Sequence, residues 1–193
     1  MTMFYIQITL LEDGDINENY LLEKIFHLAH SKFTELQDAN GKIPIGVAFP
    51  NYNTKKPSLG NILRLVANHR EDLENFNIGK TLRVLSDYIH FTQVRPVPTK
   101  ISSYYQFQRF QPKANIEVLA RRRAKRLGVS FDEAIQLYSK YNQERSKLPF
   151  VKIKSSSTNR VFPLFIKRIG GAESDKFEFN TYGLSTNSFL PDF

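Results

Sequence analysis

Phe4, Ile6, Ile8 and Leu10 alternate with Tyr5, Gln7 and Thr9, the period of two by which a strand buries one face, so residues 4–11 are expected to open a sheet. After a polar break at 12–17, Leu21, Leu22, Ile25, Phe26, Ala29, Phe33 and Leu36 recur at helical spacing, which predicts a helix reaching Gln37. Residues 43–49 and 61–66 read as strands around a 50–60 loop, an antiparallel pair. Residues 71–85 read as helical in two pieces around Gly79, and 88–94 return to strand character. Beyond Pro96 and Pro98, residues 101–111 are extended and 115–127 helical, with Gly128 ending the helix. Ser130 and Glu133 make a capping box for a further helix to about Arg145. Residues 150–154 and 160–168 are strands flanking a Ser155–Asn159 turn, and 177–184 is a closing strand after a Gly170–Gly171 turn.

Strand, helix, strand, strand, helix, strand is the ferredoxin-like order, so the fold class expected is α+β: a ferredoxin-like domain over 1–97 and a basic α+β domain over 98–193. That order carries no function by itself. Charge divides at the same place. Residues 1–97 hold 10 basic and 11 acidic side chains, a net of −1, and residues 98–193 hold 17 and 8, a net of +9. The asymmetry favours a polyanion-binding lobe on a neutral one, with nucleic acid ahead of a membrane surface.

The charge concentrates in Ala120–Arg121–Arg122–Arg123–Ala124–Lys125–Arg126, with no acid between Glu117 and Asp132. On a helix, Arg121, Arg122, Lys125 and Arg126 fall within about 140° of the circumference, with Ile116, Ala120 and Leu127 expected opposite. Solvated charged faces usually mix signs. This one does not, and it reads as a rod for phosphate.

The chain has 193 residues, 41% of them hydrophobic, and no cysteine, which excludes disulfides, thiolate zinc sites and cysteine nucleophiles. Four histidines are a poor basis for a metal site, so no metal and no cofactor are expected. No apolar run reaches the roughly 18 residues of a bilayer span and no signal-peptide pattern opens the chain, so a cytoplasmic protein without a membrane partner is expected. His27 and His30 lie one helical turn apart; His27 points to solvent, and His30 lies at the margin of the apolar stripe. That margin suits both an ordinary boundary histidine and a half-buried general acid or base. Arg109 and Gln111, two apart in an extended segment, are either polar strand residues facing water or a pair addressing adjacent bases, arginine on guanine and glutamine on adenine.

Ile45–Pro50 (IGVAFP), Arg109–Lys113 (RFQPK), Leu148–Val151 (LPFV), Ser155–Thr158 and Thr181–Ser185 (TYGLS) occur in an order and spacing that resemble the CRISPR-associated repeat-processing endoribonucleases of type I-F systems, the family called Csy four or Cas six f. The resemblance spans the whole chain. It implies a metal-independent endoribonuclease that binds the CRISPR repeat hairpin and cuts precursor RNA at the base of the stem. The ribose 2′-hydroxyl attacks the phosphate, leaving a 2′,3′-cyclic phosphate and a 5′-hydroxyl. It further implies a protein, monomeric when alone, that stays on the mature RNA and joins other type I-F effector subunits. By position, His30 is the acid/base residue, Ser155 orients the 2′-hydroxyl and Tyr182 lines the site and steers the histidine. Ser155 is chosen because it stands seven residues after Leu148, as the family's serine does. The RNA contacts implied are Arg109, Gln111 and Lys113, the cassette residues Arg121, Arg122, Lys125 and Arg126, the hydroxyls of Ser157 and Thr158, and Phe162 stacked beneath the terminal base pair. Lys125 stands where arginine is common in the family, a point charge in place of a planar fork. The alternative reading is a subunit that caps the hairpin without cutting it.

Overall fold

A computed structural model describes residues 2–12, 14, 16–112, 116–138, 147–154 and 159–193. These residues form a mixed α+β protein with two antiparallel sheets. The chain divides into two compact units, residues 1–110 with 148–193, and residues 111–147. They differ from the two lobes expected around a boundary at 97. Pro96 is not a linker residue, because the short strand Arg95–Pro96 (β5) pairs with the first strand, Phe4–Leu10, and the inner faces of both sheets feed one core.

In the larger unit, β1 (Phe4–Leu10) is followed by α1 (Glu18–Phe33), β2 (Ile45–Ala48), β3 (Ile62–Ala67), α2 (Arg70–Phe76), α3 (Ile78–Leu82) with a 3-10 turn at Arg83–Leu85, and β4 (Ile89–Phe91). The strand order is β2-β3-β1-β4, every pair antiparallel, with Ile6 opposite Leu65 and Ile8 opposite Leu63. Ile6, Ile8 and Leu10 bury the even face of β1, as the alternation requires. Leu21, Leu22, Ile25, Phe26, Ala29 and Phe33 supply the buried stripe of α1. Asn17 caps its N-terminus, its side chain accepting from the Asn19 N–H at 2.9 Å. The helix stops four residues short of Gln37 because the next N–H groups turn to i−3 acceptors, Glu35 to Lys32 and Leu36 to Phe33. The second helical region breaks at Asn77, in the left-handed region at φ 42°, and not at Gly79. Gly79 is instead a close-approach position, where a Cβ would lie 2.8 Å from the Phe91 ring.

The second sheet, ordered β7-β8-β6-β9, is built from β6 (Ser103–Phe110), β7 (Phe150–Lys154), β8 (Val161–Gly171) and β9 (Leu190–Asp192). Phe107, Val151, Ile153, Leu164 and Ile166 turn inward, and Phe107 meets Phe49 edge-on at 5.4 Å between ring centres. Truncating a buried aromatic such as Phe49 to alanine costs about 3–5 kcal/mol. Two expectations fail here. Gly170 and Gly171 are paired residues of β8, opposite Tyr105 and Tyr104, and not a turn. The strand expected over 177–184 is a single bridge, Ile43 to Phe179, followed by a tight turn. The closing strand is β9, an edge strand whose Pro191 needs no ladder donor.

The smaller unit holds α4 (Ile116–Leu127) and α5 (Phe131–Gln136), the latter with the expected Ser130–Glu133 capping box. The continuation expected from residue 139 lies outside the described residues. No helix among the described residues is long and apolar enough to cross a membrane.

Candidate active site and RNA interface

His30 sits in the last turn of α1, half-buried, while His27 is exposed. Facing it is the turn at 180–184, which the sequence folds locally and the rest of the unit clamps. The Asn180 side chain accepts from the N–H groups of Tyr182 at 2.9 Å and Leu184 at 3.3 Å, and the Asn180 N–H and carbonyl close onto the Leu184 carbonyl and the Gly183 N–H. Asparagine bonding to backbone two residues ahead is a standard way to nucleate a turn. Gly183 completes it at φ 71°, where a Cβ would also drive into the Val47 side chain. Three long-range anchors then fix the turn in space. Ile43 and Phe179 exchange backbone hydrogen bonds, the Val47 N–H donates to the Gly183 carbonyl at 2.8 Å, and the Ser185 N–H donates to the Phe107 carbonyl at 2.9 Å.

The clamped turn presents two groups to His30. Its Nδ1 lies 2.6 Å from the Thr181 carbonyl oxygen. A carbonyl only accepts, so Nδ1 carries the ring proton, and in the neutral imidazole Nε2 holds the free lone pair. The Tyr182 ring stacks on the imidazole with centres 4.1 Å apart and planes 14° from parallel. Burial pushes the histidine pKa below its ordinary value; the Thr181 hydrogen bond opposes that shift and the nearby His27 adds to it. The environment therefore holds a neutral, oriented imidazole at neutral pH.

Arg109, exposed near the end of β6, brings its guanidinium carbon to 5.9 Å from the centre of the Tyr182 ring and 5.6 Å from that of Phe162 on β8. Four of the residues singled out in the sequence, His30, Tyr182, Arg109 and Phe162, thus gather around one point. Ser155, Ser157, Thr158 and Lys113 lie outside the described residues. Gln111 follows the end of β6, exposed, and belongs to the smaller unit. On α4, Arg121, Arg122, Lys125 and Arg126 are exposed. Ala120 and, on α5, Ala134 are buried where the two helices pack. Leu127 corrects the helical-wheel reading: it is 51% exposed, because the inward positions are taken by Leu119, Ala120, Arg123 and Ala124. The Arg121 guanidinium lies over the Phe131 ring at 5.9 Å, which holds it on the helix surface.

Periodicity overlooked the Thr181 carbonyl, Asn180 and Gly183. The asparagine and glycine three residues apart were the only local signal, and a strand expectation masked it. Among the described residues, no three His, Asp or Glu side chains group so that they could hold a metal ion.

Residues 5–193 match the family model described as CRISPR-associated protein (Cas_Csy4). A "CRISPR-associated endonuclease Cas6/Csy4" of Escherichia coli (strain UTI89 / UPEC) is 31% identical over 191 residues, covering 98% of each chain. One of the same name from Pseudomonas aeruginosa (strain UCBPP-PA14) is 32% identical over 191 residues with the same coverage. Among solved structures, "An RAMP protein binding different RNA substrates" aligns over 98% of this chain and 100% of its own at 12% identity, with a TM-score of 0.33. A match to the family model over nearly the full length, joined to two relatives above 30% identity end to end, places this chain in the Csy4 family of CRISPR-associated proteins.

Proposed function

We propose that the protein is a CRISPR RNA-processing endoribonuclease that cuts the precursor at the foot of the repeat hairpin without a metal ion. The observation that carries this reading is the state of His30: Nδ1 donating to the Thr181 carbonyl at 2.6 Å, the ring stacked on Tyr182, and the pKa lowered by burial. These make Nε2 a proton acceptor at neutral pH, and a proton acceptor is what 2′-hydroxyl attack requires. Nε2 takes the proton of the 2′-hydroxyl, the 2′-oxygen forms its bond to phosphorus, and the phosphorus–5′-oxygen bond breaks. The 5′-oxygen takes a proton from solvent. The products are a 2′,3′-cyclic phosphate and a 5′-hydroxyl. Ser155 orients the attacking hydroxyl in this reading, and Tyr182 holds the imidazole plane. The nucleophile belongs to the substrate, so the protein contributes orientation and proton transfer.

Recognition combines two kinds of contact. Arg121, Arg122, Lys125 and Arg126 present an exposed cationic face to phosphates near the stem end, where a helix reaches the otherwise deep and narrow RNA major groove. Arg109 and Gln111 read bases at the bottom of the stem, Phe162 stacks beneath the last pair, and Lys113, Ser157 and Thr158 hold the backbone beside the cut. The ferredoxin-like half carries His30 on its first helix. Bound to its product hairpin, the protein joins the other subunits of a type I-F complex.

The test is cleavage of its own CRISPR repeat RNA in excess EDTA, beside the His30→Ala variant and a substrate with a 2′-deoxy sugar at the cut. Cleavage by the wild type alone, ending in a cyclic phosphate, is the expected result. Tight binding with no cleavage would make the protein a hairpin cap, and cleavage that EDTA abolishes would replace the mechanism.

A further inference from the structure

Glu23, on α1, has no place in the reaction described above and stands among charges of the other sign. Among the described residues that line the open space between α1 and β7 it is the one acid, beside Lys24, His27, Lys152 and Lys154. An acid in a basic protein that binds a polyanion works against binding unless its carboxylate is engaged. This one is engaged: partly buried, it accepts the Lys152 N–H at 3.1 Å, from a donor 129 residues away in the chain. β7 is an edge strand, paired with β8 on one side only. An outward N–H on such an edge is open to a carboxylate from a neighbouring helix.

The tie closes a ring of contacts around the site. Glu23 falls two helical turns before His30 and on the same side of α1. On β7, Lys152 lies opposite Pro163 of β8 and Ile153 opposite Phe162. The Arg109 guanidinium lies 5.6 Å from the Phe162 ring centre and 5.9 Å from that of Tyr182, and Tyr182 stacks on His30 at 4.1 Å. From His30, the path through Tyr182, Arg109, Phe162 and β7 therefore returns to α1 at Glu23. Packing brings α1 and β7 together, but apolar contact is non-directional and sets no register along the strand. A hydrogen bond to one particular N–H does. We propose that Glu23 is a positioning residue for cleavage: it fixes the strand pair that carries Phe162 against the helix that carries His30, and so sets the distance from the foot of the stem to the proton acceptor. The inference rests on the endoribonuclease reading given above, in which Phe162 stacks beneath the last base pair. Proton transfer depends on that distance more steeply than binding does.

The test compares Glu23→Ala and Glu23→Gln with the wild type on the protein's own repeat hairpin, well below the melting temperature of each. Single-turnover cleavage is measured at saturating RNA, and affinity on a hairpin made uncleavable by a 2′-deoxy sugar at the cut. Alanine removes the acceptor and is expected to slow cleavage about three- to tenfold, what the loss of one hydrogen bond is worth, with affinity equal to the wild type or slightly higher. Glutamine keeps an acceptor oxygen without the charge and should restore the rate. Because Glu23 acts through Phe162, adding Glu23→Ala to a Phe162→Ala protein should slow cleavage much less than it slows the wild type. An acid that only repelled RNA would give another pattern, with both variants binding more tightly and neither slowed, and that result would overturn the inference. So would a glutamine variant as slow as alanine, or full additivity with Phe162→Ala. Each of these leaves the endoribonuclease reading standing. A wild type that cuts no hairpin would overturn that reading and this inference with it.

Discussion

The turn at 180–184 and the helix α4 are both candidate RNA-facing regions, yet their order is stored in opposite ways. The turn is held by partners far away in sequence: Val47 on β2, Phe107 on β6, Ile43 ahead of β2. It presents one carbonyl and one ring to His30 at fixed distances. The helix is a local object, twelve residues with good intrinsic propensity, presenting charges that need no angular accuracy. Proton transfer fails with small errors of position, whereas attraction between a lysine and a phosphate falls off gently. The difference teaches that chemistry here is bound to the fold, and affinity to composition.

The sharpest way to break the comparison is to separate the two losses. His30→Ala should lower the single-turnover cleavage rate about 10²- to 10⁴-fold, the range for a positioned acid–base group, while hairpin affinity by filter binding changes little. Neutralising Arg121, Arg122, Lys125 and Arg126 together should do the reverse. Because all four are exposed, helix and fold should persist, and the slope of log affinity on log salt should drop by about 3 to 4. Cleavage at saturating RNA should stay near the wild-type rate. If the neutralised helix instead abolished cleavage of fully bound RNA, the two regions would not be separable.

Gly183→Ala tests the claim that the turn is bound to the fold. The substitution places a Cβ at φ 71° against Val47, combining backbone strain with overpacking, about 2–4 kcal/mol together. For a chain of this size the melting temperature should fall by roughly 5–15 °C. Below that melting point, cleavage should suffer more than binding does. Gly128→Ala, also at positive φ but with nothing near its Cβ, should cost less, since strain acts there without a clash.

How much was legible in the sequence follows the same division. The capping box at Ser130 and Glu133, the bounds of β7 and the charged face of α4 are local, and local rules found them. His30 at the edge of a stripe was legible as an angle on a helix. The partners that give it a tautomer were not, because no period links Thr181 or Gly183 to residues more than a hundred positions earlier. Only the family resemblance pointed to Tyr182, through residues and not through geometry. Leu190–Asp192 forms a strand solely because β6 offers an open edge, and its Pro191 would argue against one in isolation. The sequence places a break in the second helical region around Gly79, but the constraint on that residue comes from Phe91 across the packing.

The smallest effect is the most discriminating about mechanism. Burial lowers the His30 pKa from its ordinary value near 6.5, and the neighbouring His27 lowers it further. In the free protein, the His30 ring signals followed by NMR should titrate below 6.5. His27→Ala should move that midpoint upward, since the interaction with His27 is one of the causes that hold it down. The sign then carries into the reaction. If neutral Nε2 accepts the 2′-hydroxyl proton, the single-turnover rate should rise with pH through the His30 midpoint and level off above it. The His27→Ala profile should be displaced toward higher pH with its plateau unchanged. A rate that falls with rising pH would make the protonated ring the competent form, and His30 an acid or a phosphate stabiliser. In that case the Thr181 carbonyl would still orient the ring, but lowering the pKa would work against catalysis at neutral pH.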